Sequence, residues 1–452
     1  MQRAAKINVS ELIDNSKVGR FQILLFVLCA MSLIMDGFDV QAMGYVAPEV
    51  IPELGMSGGQ LGSILAAANV GVLIGSLLFT MLADKIGRRP VLIFGTFFYA
   101  LITILTARAD TADHLLLLRF IGGIGMGSII PNATALIGEY GPQRSRVTLI
   151  MTITVGFTAG AALGGFVAAG LMPLFGWRSV FYFGGVIPLV VGVLMIFWLP
   201  ESLQFLVVRN KLAKVGQWLK RIAPEAPIGP DTQYVAVEES KGGVPVVHLL
   251  REGRAPVTLL YWLVNFTNLL CLYFLAGLLP TILSQHGLSS STSAAIGGLM
   301  QAGGTIGTFG LAWLIARKGF TPMLTLTFAI AAVAIAVIGN TFVLAIVPLL
   351  TLVVFVAGWS VIGGQPGLNA LAATYYPTYM RSTGIGWGLG IGRVGAIVGP
   401  YIGGQLLDLQ WPTQQLFLVF AGPALVSTLV MLALHFLLRT PRAAMPLQEE
   451  TA

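Results

Sequence analysis

Long apolar stretches alternate with short polar ones along almost the whole chain. They fall at residues 21–46, 60–82, 90–108, 114–137, 147–172 and 178–199, and again at 256–282, 292–316, 321–340, 342–372, 382–407 and 413–438. A helix needs about 20 apolar residues to cross the hydrocarbon core of a bilayer. The pattern therefore predicts an all-α integral membrane protein of twelve transmembrane helices, arranged as six-helix bundles over residues 21–199 and 256–438. Polar segments remain at 1–20, 200–255 and 439–452. The first reads as a mature cytoplasmic N-terminus, because Met1 to Arg20 is polar and the apolar run after it leads straight into further spans. The second is a central cytoplasmic loop with one amphipathic helix near Leu203 to Ile222, and the third a disordered cytoplasmic tail.

Composition sharpens this picture. Of 452 residues, 56% are hydrophobic and 10% charged, where a soluble domain carries about 25% charge. A soluble protein is excluded. The net charge of +7 does not point to nucleic acid, since the basic residues occupy short loops between spans. With both termini inside, 22 of the 26 Lys and Arg residues are cytoplasmic, eight of them in the central loop. Only Arg108 and Arg178 are external, and Arg119 and Arg393 lie within spans. That imbalance is what the positive-inside rule demands of an even number of helices. Cys29 and Cys271 both sit in apolar runs and form no disulfide framework.

The two halves repeat each other. At an offset of 232 residues, Pro48, Gly71, Gly75, Lys85, Gly87 and Pro90 meet Pro280, Gly303, Gly307, Arg317, Gly319 and Pro322. At 235, Pro131, Pro142, Arg146, Gly160 and Gly164 meet Pro366, Pro377, Arg381, Gly395 and Gly399. Six helices per repeat give both halves one orientation, hence a pseudo-symmetry axis along the membrane normal and a substrate site near mid-depth.

Charges inside spans carry the chemistry, because each costs about 2.5–3.5 kcal/mol on insertion scales and needs compensation. Asp36 and Asp39 are three residues apart in the first span and share a helical face. Two close carboxylates in low dielectric resist ionising together, so one can hold a proton near neutrality. The competing reading places both in the external mouth. Arg119, early in the fourth span, either snorkels outward or pairs with Asp36 or Asp39. Arg393, near the middle of the eleventh, is suited to grip a carboxylate bidentately, the alternatives being a permanent ion pair with an Asp or snorkelling. Gln365, Trp359, Trp387, Asn69 and Gln301 are further pocket candidates, Gln365 because Pro366 frees a backbone carbonyl beside it and discontinuous helices mark transporter sites. Between the second and third spans, Asp84 lies at a helix C-terminus, where the macrodipole disfavours an anion, so a cation or another helix N-terminus is expected beside it. With Arg88 and Arg89 it forms either a gate contact or a static clamp. Glu139, Arg144 and Arg146, with Arg381 in the second half, suggest a charge network on the same side.

Other chemistry is absent. Gly390, Gly392 and Gly395 match GxGxxG, but inside a span, without the strand and βαβ unit that a dinucleotide site needs. No Walker motif, GxSxG or metal-spaced His and Cys cluster occurs, so neither an enzyme nor a cofactor is expected. A receptor that signals without transport is disfavoured by the lack of a soluble output domain.

Several segments resemble the major facilitator superfamily. LADKIGRRP from Leu82 is similar to its loop between the second and third helices, RFIGGIGMG from Arg119 to its fourth-helix motif, and PESLQFL from Pro200 to the motif closing its sixth helix. DGFD at Asp36 to Asp39 and YYPTYMRSTGIGWGLGIGRVGAIVGP from Tyr375 to Pro400 resemble the aromatic acid/proton symporter family within it. That resemblance implies uptake of benzoate-type or hydroxylated aromatic carboxylates, driven by protons, by a monomer in the bacterial inner membrane. It implies Asp36 and Asp39 as coupling residues, Arg393 as carboxylate partner and Asp84 with its loop as the cytoplasmic gate. A monoanion carried with one proton is electroneutral, and each further proton adds about 2.3 kcal/mol per 100 mV of membrane potential. Another small organic anion, or export, would use the same architecture.

Overall fold

The computed structural model describes residues 6–226, 229, 232–235, 246–344, 346–377 and 379–439. The predicted tail beyond 439 lies outside them. The chain is almost entirely helical. After strand β1 (Lys6–Asn8) and the short α1 (Val9–Asn15) come α2 (Arg20–Leu54), α3 (Gly58–Ile86), α4 (Arg88–Thr106), α5 (Ala112–Met126), α6 (Ile129–Tyr140), α7 (Gln143–Phe175) and α8 (Arg178–Trp198). The central loop holds α9 (Leu203–Val208), α10 (Leu212–Ile222) and strand β2 (Gln233–Val235). Then follow α11 (Ala255–Gln285), α12 (Ser290–Lys318), α13 (Phe320–Leu344), α14 (Val347–Tyr375), α15 (Arg381–Asp408) and α16 (Thr413–Arg439).

Among the described residues, 11 helical segments are long and apolar enough to span a membrane, α5 and α6 together making one of them. α15 falls outside that set although its 28 residues extend about 42 Å at 1.5 Å each. Its glycines and Arg393 dilute its hydropathy. Three differences from the sequence reading are local. The fourth span is two helices, interrupted at Gly127 and Ser128. The single amphipathic helix is also two, because Asn210 adopts φ 54° between α9 and α10. α14, in contrast, runs unbroken through Pro366.

The helices gather into two compact units. One comprises Met1–Met43 and Ala67–Lys241, the other Gly44–Ala66 and Gly242–Ala452. The hairpin from Gly44 to Ala66 thus groups with the second unit although it belongs to the first half of the sequence. Within that unit Gly62 lies against the Pro400 carbonyl and Gly404, and Ser57 Oγ donates to Asp408 Oδ2 at 2.8 Å. In the first unit, β1 pairs in parallel with β2, and Val9 and Ile13 of α1 bury in one core with Val215, Leu219 and Ile222 of α10. This cap is latched to α7, whose first N–H, from Gln143, donates to Asp14 Oδ1 at 2.7 Å. A carboxylate there also complements the positive end of the helix dipole.

Close helix crossings depend on missing side chains. In the first unit, a methyl on Gly160 would sit 1.8 Å from the Ile34 carbonyl oxygen, and one on Gly37 would sit 1.9 Å from that of Phe157. Glycine therefore lets α2 and α7 touch backbone to backbone at the turn that carries Asp36 and Asp39. Gly160→Ala is expected to lower the melting temperature of purified protein by several degrees, whereas Gly170→Ala, with no neighbour within 4 Å, leaves it unchanged. Equal melting of the two variants would refute the crossing.

Candidate functional site

α2 continues from Asp39 to Leu54, so neither carboxylate lies at its end. Asp36 is 2% and Asp39 1% exposed, a degree of burial that demands partners for a charge. Arg119 of α5, itself 2% exposed, donates from Nη1 to Asp39 Oδ2 at 3.1 Å and from Nη2 to Thr106 Oγ1 at 3.0 Å. Thr106 spends its own proton on the Ile102 carbonyl, which turns its lone pair toward the guanidinium. Thr103 Oγ1 donates to Asp39 Oδ1 at 2.8 Å. The ring of Phe181 lies 4.9 Å from the guanidinium carbon, within cation–π range. Arg119 thus pairs inward rather than snorkelling. Among the described residues its Nε has no partner, nor does the hydroxyl of Tyr99, a fully buried residue of α4 within electrostatic reach of both carboxylates.

The second unit holds a different set. Arg393 is half-buried on α15 and forms no ion pair or hydrogen bond with a described residue. The permanent pair with an Asp, open in the sequence reading, is not formed among the described residues. Gln365 of α14 is clamped between two asparagines of α11: Asn268 Nδ2 donates to its Oε1, and its Nε2 donates to Asn265 Oδ1, each at 2.8 Å. Gln301 is buried, and its Nε2 has no partner among the described residues. Trp359 packs over Gly307 and Gly310 of α12. Trp387, 44% exposed, stacks on Trp262 at 5.9 Å. Asn69 is buried in the first unit.

The polar end of the first unit is organised by two glutamates. Glu139 at the end of α6 pairs with Arg88, and its carboxylate accepts from Ser202 Oγ at 2.8 Å and from the Gln204 N–H at 3.3 Å. Glu201 accepts the N–H groups of Arg88, Arg89 and Ser202 at 2.8, 3.1 and 2.8 Å. A carboxylate thereby caps the N-terminus of α4, and the preceding Gly87 adopts φ 106°, which only glycine tolerates readily. Asp84, expected beside a cation or helix end, is exposed with no described partner; Glu201 occupies the helix end instead. Arg89 Nη2 donates to the Ile196 carbonyl at 2.5 Å, and Arg144 Nη2 to that of Ser16 at 2.9 Å. Arg146 reaches Asp14 at 3.8 Å rather than Glu139. Arg381 is exposed at the start of α15.

Sequence reasoning missed Glu201, Ser202, Thr103, Thr106 and Asn265. The first two stand in the quoted PESLQFL. Nothing local distinguishes the threonines or Asn265 from ordinary packing residues.

Buried charges inside long apolar helices, with a second set of polar side chains converging in the other half, define a polytopic membrane transporter. Comparison with known proteins makes the assignment finer. The sequence profile of the Major Facilitator Superfamily matches residues 29–387. The 4-hydroxybenzoate transporter PcaK of Pseudomonas aeruginosa is 36% identical over 429 residues, covering 94% of this chain and 95% of that one. A gallate transporter of Pseudomonas putida is 37% identical, covering 95% of each. In fold, the chain is similar to a bacterial homologue of the human lysosomal transporter Spinster in an inward-facing, occupied conformation. The TM-score is 0.75 at 15% identity, over 96% of this chain and 100% of that one. This chain belongs to the Major Facilitator Superfamily and, within it, to the aromatic acid/proton symporter family.

Proposed function

We propose that this protein imports an aromatic carboxylate of the benzoate or hydroxybenzoate type by proton symport with alternating access. It acts as a monomer in the bacterial cytoplasmic membrane, with both termini inside. The observation that carries this reading is the buried Arg119–Asp39 ion pair with Asp36 on the same face of α2. When Asp39 takes up a proton, Arg119 loses its counter-ion in a low dielectric, where an unpaired charge is costly. Asp36, three residues away, is the anion that can replace it. Protonation and a rearrangement of α2 against α5 are thereby one event.

Arg393 then receives the substrate carboxylate, with Gln365, Gln301, Trp359 and Trp387 of the same unit contributing to the pocket. Asp84, Arg88, Arg89, Glu139, Arg144, Arg146 and Arg381 form the gating charges at the cytoplasmic end. The two relatives named for 4-hydroxybenzoate and gallate support the substrate class.

The test is uptake of labelled 4-hydroxybenzoate into proteoliposomes under an imposed pH gradient. Accumulation is expected to collapse with a protonophore and to be inhibited by benzoate but not by short-chain aliphatic acids. Uptake indifferent to the protonophore would refute symport, and inhibition by the aliphatic acids would refute the aromatic substrate.

A further inference from the structure

We propose that Asn268 accepts a hydrogen bond from a hydroxyl on the substrate ring, and so makes the carrier select hydroxylated over unsubstituted aromatic acids. This rests on the aromatic-carboxylate reading above and assigns a specificity-determining residue within it.

The case is the direction of a hydrogen-bond chain. Amide oxygen and nitrogen are assigned from their surroundings rather than seen, but here the surroundings leave one choice. Asn265 lies 2.8 Å from the carbonyl oxygen of Tyr261, and a backbone carbonyl can only accept. The Asn265 amide nitrogen must therefore face it, leaving Asn265 Oδ1 toward Gln365. Gln365 must then present Nε2 to Asn265 and Oε1 to Asn268, at 2.8 Å in both cases. Asn268 in turn spends Nδ2 on Gln365. The open end of the chain is the Asn268 carbonyl oxygen, to which no described residue donates.

Asn268 is 2% and Asn265 0% exposed, yet the Asn268 carbonyl oxygen is not among the fully buried unpartnered atoms of the described residues, so it keeps the access a ligand needs. A chain of aligned amides polarises its last oxygen, which strengthens it as an acceptor. It calls for a donor. α15 and α11 also share a level here, for a methyl on Gly392 would meet Leu269 Cδ1 at 2.6 Å and the Asn265 carbonyl at 3.3 Å. Arg393, whose guanidinium has no partner among the described residues, follows Gly392 directly. One turn of the second unit thus offers a cation for an anion and an acceptor for a donor. A hydroxylated aromatic acid carries both complements on a rigid ring.

The test is equilibrium binding to the purified full-length protein of benzoate, 3- and 4-hydroxybenzoate, 4-aminobenzoate and 4-fluorobenzoate. Fluorine is close in size to hydroxyl but donates nothing. The unaltered protein is expected to bind at least one hydroxybenzoate about tenfold or more tightly than the fluoro acid, and Asn268→Leu to bring that ratio near one. Should Asn268→Leu fail to fold, the ligand series on the unaltered protein decides. Equal affinity for hydroxy and fluoro acids, or a preference that survives in a folded Asn268→Leu, overturns the assignment while leaving aromatic-acid transport intact. Absence of binding by every acid overturns the transport reading, and this one with it.

Discussion

Asp39→Asn is expected to abolish accumulation of substrate against its gradient. The carboxamide keeps the shape of the side chain and can still meet Thr103, but it neither takes up a proton nor balances Arg119. Removing one partner of a buried ion pair costs about 3–5 kcal/mol, because the other charge is left uncompensated. The variant should therefore also melt lower. Asp39→Asn with Arg119→Gln removes both charges, and should recover most of the melting temperature while still failing to accumulate substrate. That combination separates coupling from stability. Proteoliposome uptake under a pH gradient, alongside thermal melts of the three variants, supplies both readouts. Normal, protonophore-sensitive accumulation by Asp39→Asn would sink the assignment of the coupling site.

Arg393→Gln should have the opposite profile, with binding lost and the fold untouched. Arg393 makes no ion pair or hydrogen bond with a described residue, so the melting temperature without ligand is expected to stay at its original value. Truncating one partner of a desolvated charge pair costs about 2–5 kcal/mol of binding, which is roughly thirty-fold to several-thousand-fold in Kd. Arg393→Lys retains the charge but loses the planar fork that matches a carboxylate, and should fall between. Titration of 4-hydroxybenzoate by calorimetry distinguishes them. If Arg393→Gln binds as well as the original, the anchor lies elsewhere.

These expectations draw unequally on sequence and structure. Asp36, Asp39, Arg119 and Arg393 were legible because a charge in an apolar span is rare and expensive. The partner of each was not. Arg119 could pair with either Asp or snorkel, and only the approach of α5 to α2, with Thr103 and Thr106 of α4 closing around it, selects Asp39. For Asp84 the macrodipole argument was sound, but it named the wrong beneficiary. The helix N-terminus that follows is capped by Glu201, 113 residues from Arg88, where sequence proximity carries no information. Pro366 illustrates another limit. The missing N–H suggested a broken helix, yet α14 continues through it.

Hydropathy and loop charge determined by themselves that this is a many-helix membrane protein and which end of each span is basic. Those properties follow from the one-dimensional cost of placing each residue in hydrocarbon. Partner choice follows from packing. Backbone contact at Gly37 and Gly160, the grouping of Gly44–Ala66 with the second unit, and the one-way amide chain ending at Asn268 all join residues far apart in sequence. A buried polar group takes whichever partner the fold brings within 3 Å, and only the tertiary structure decides which that is.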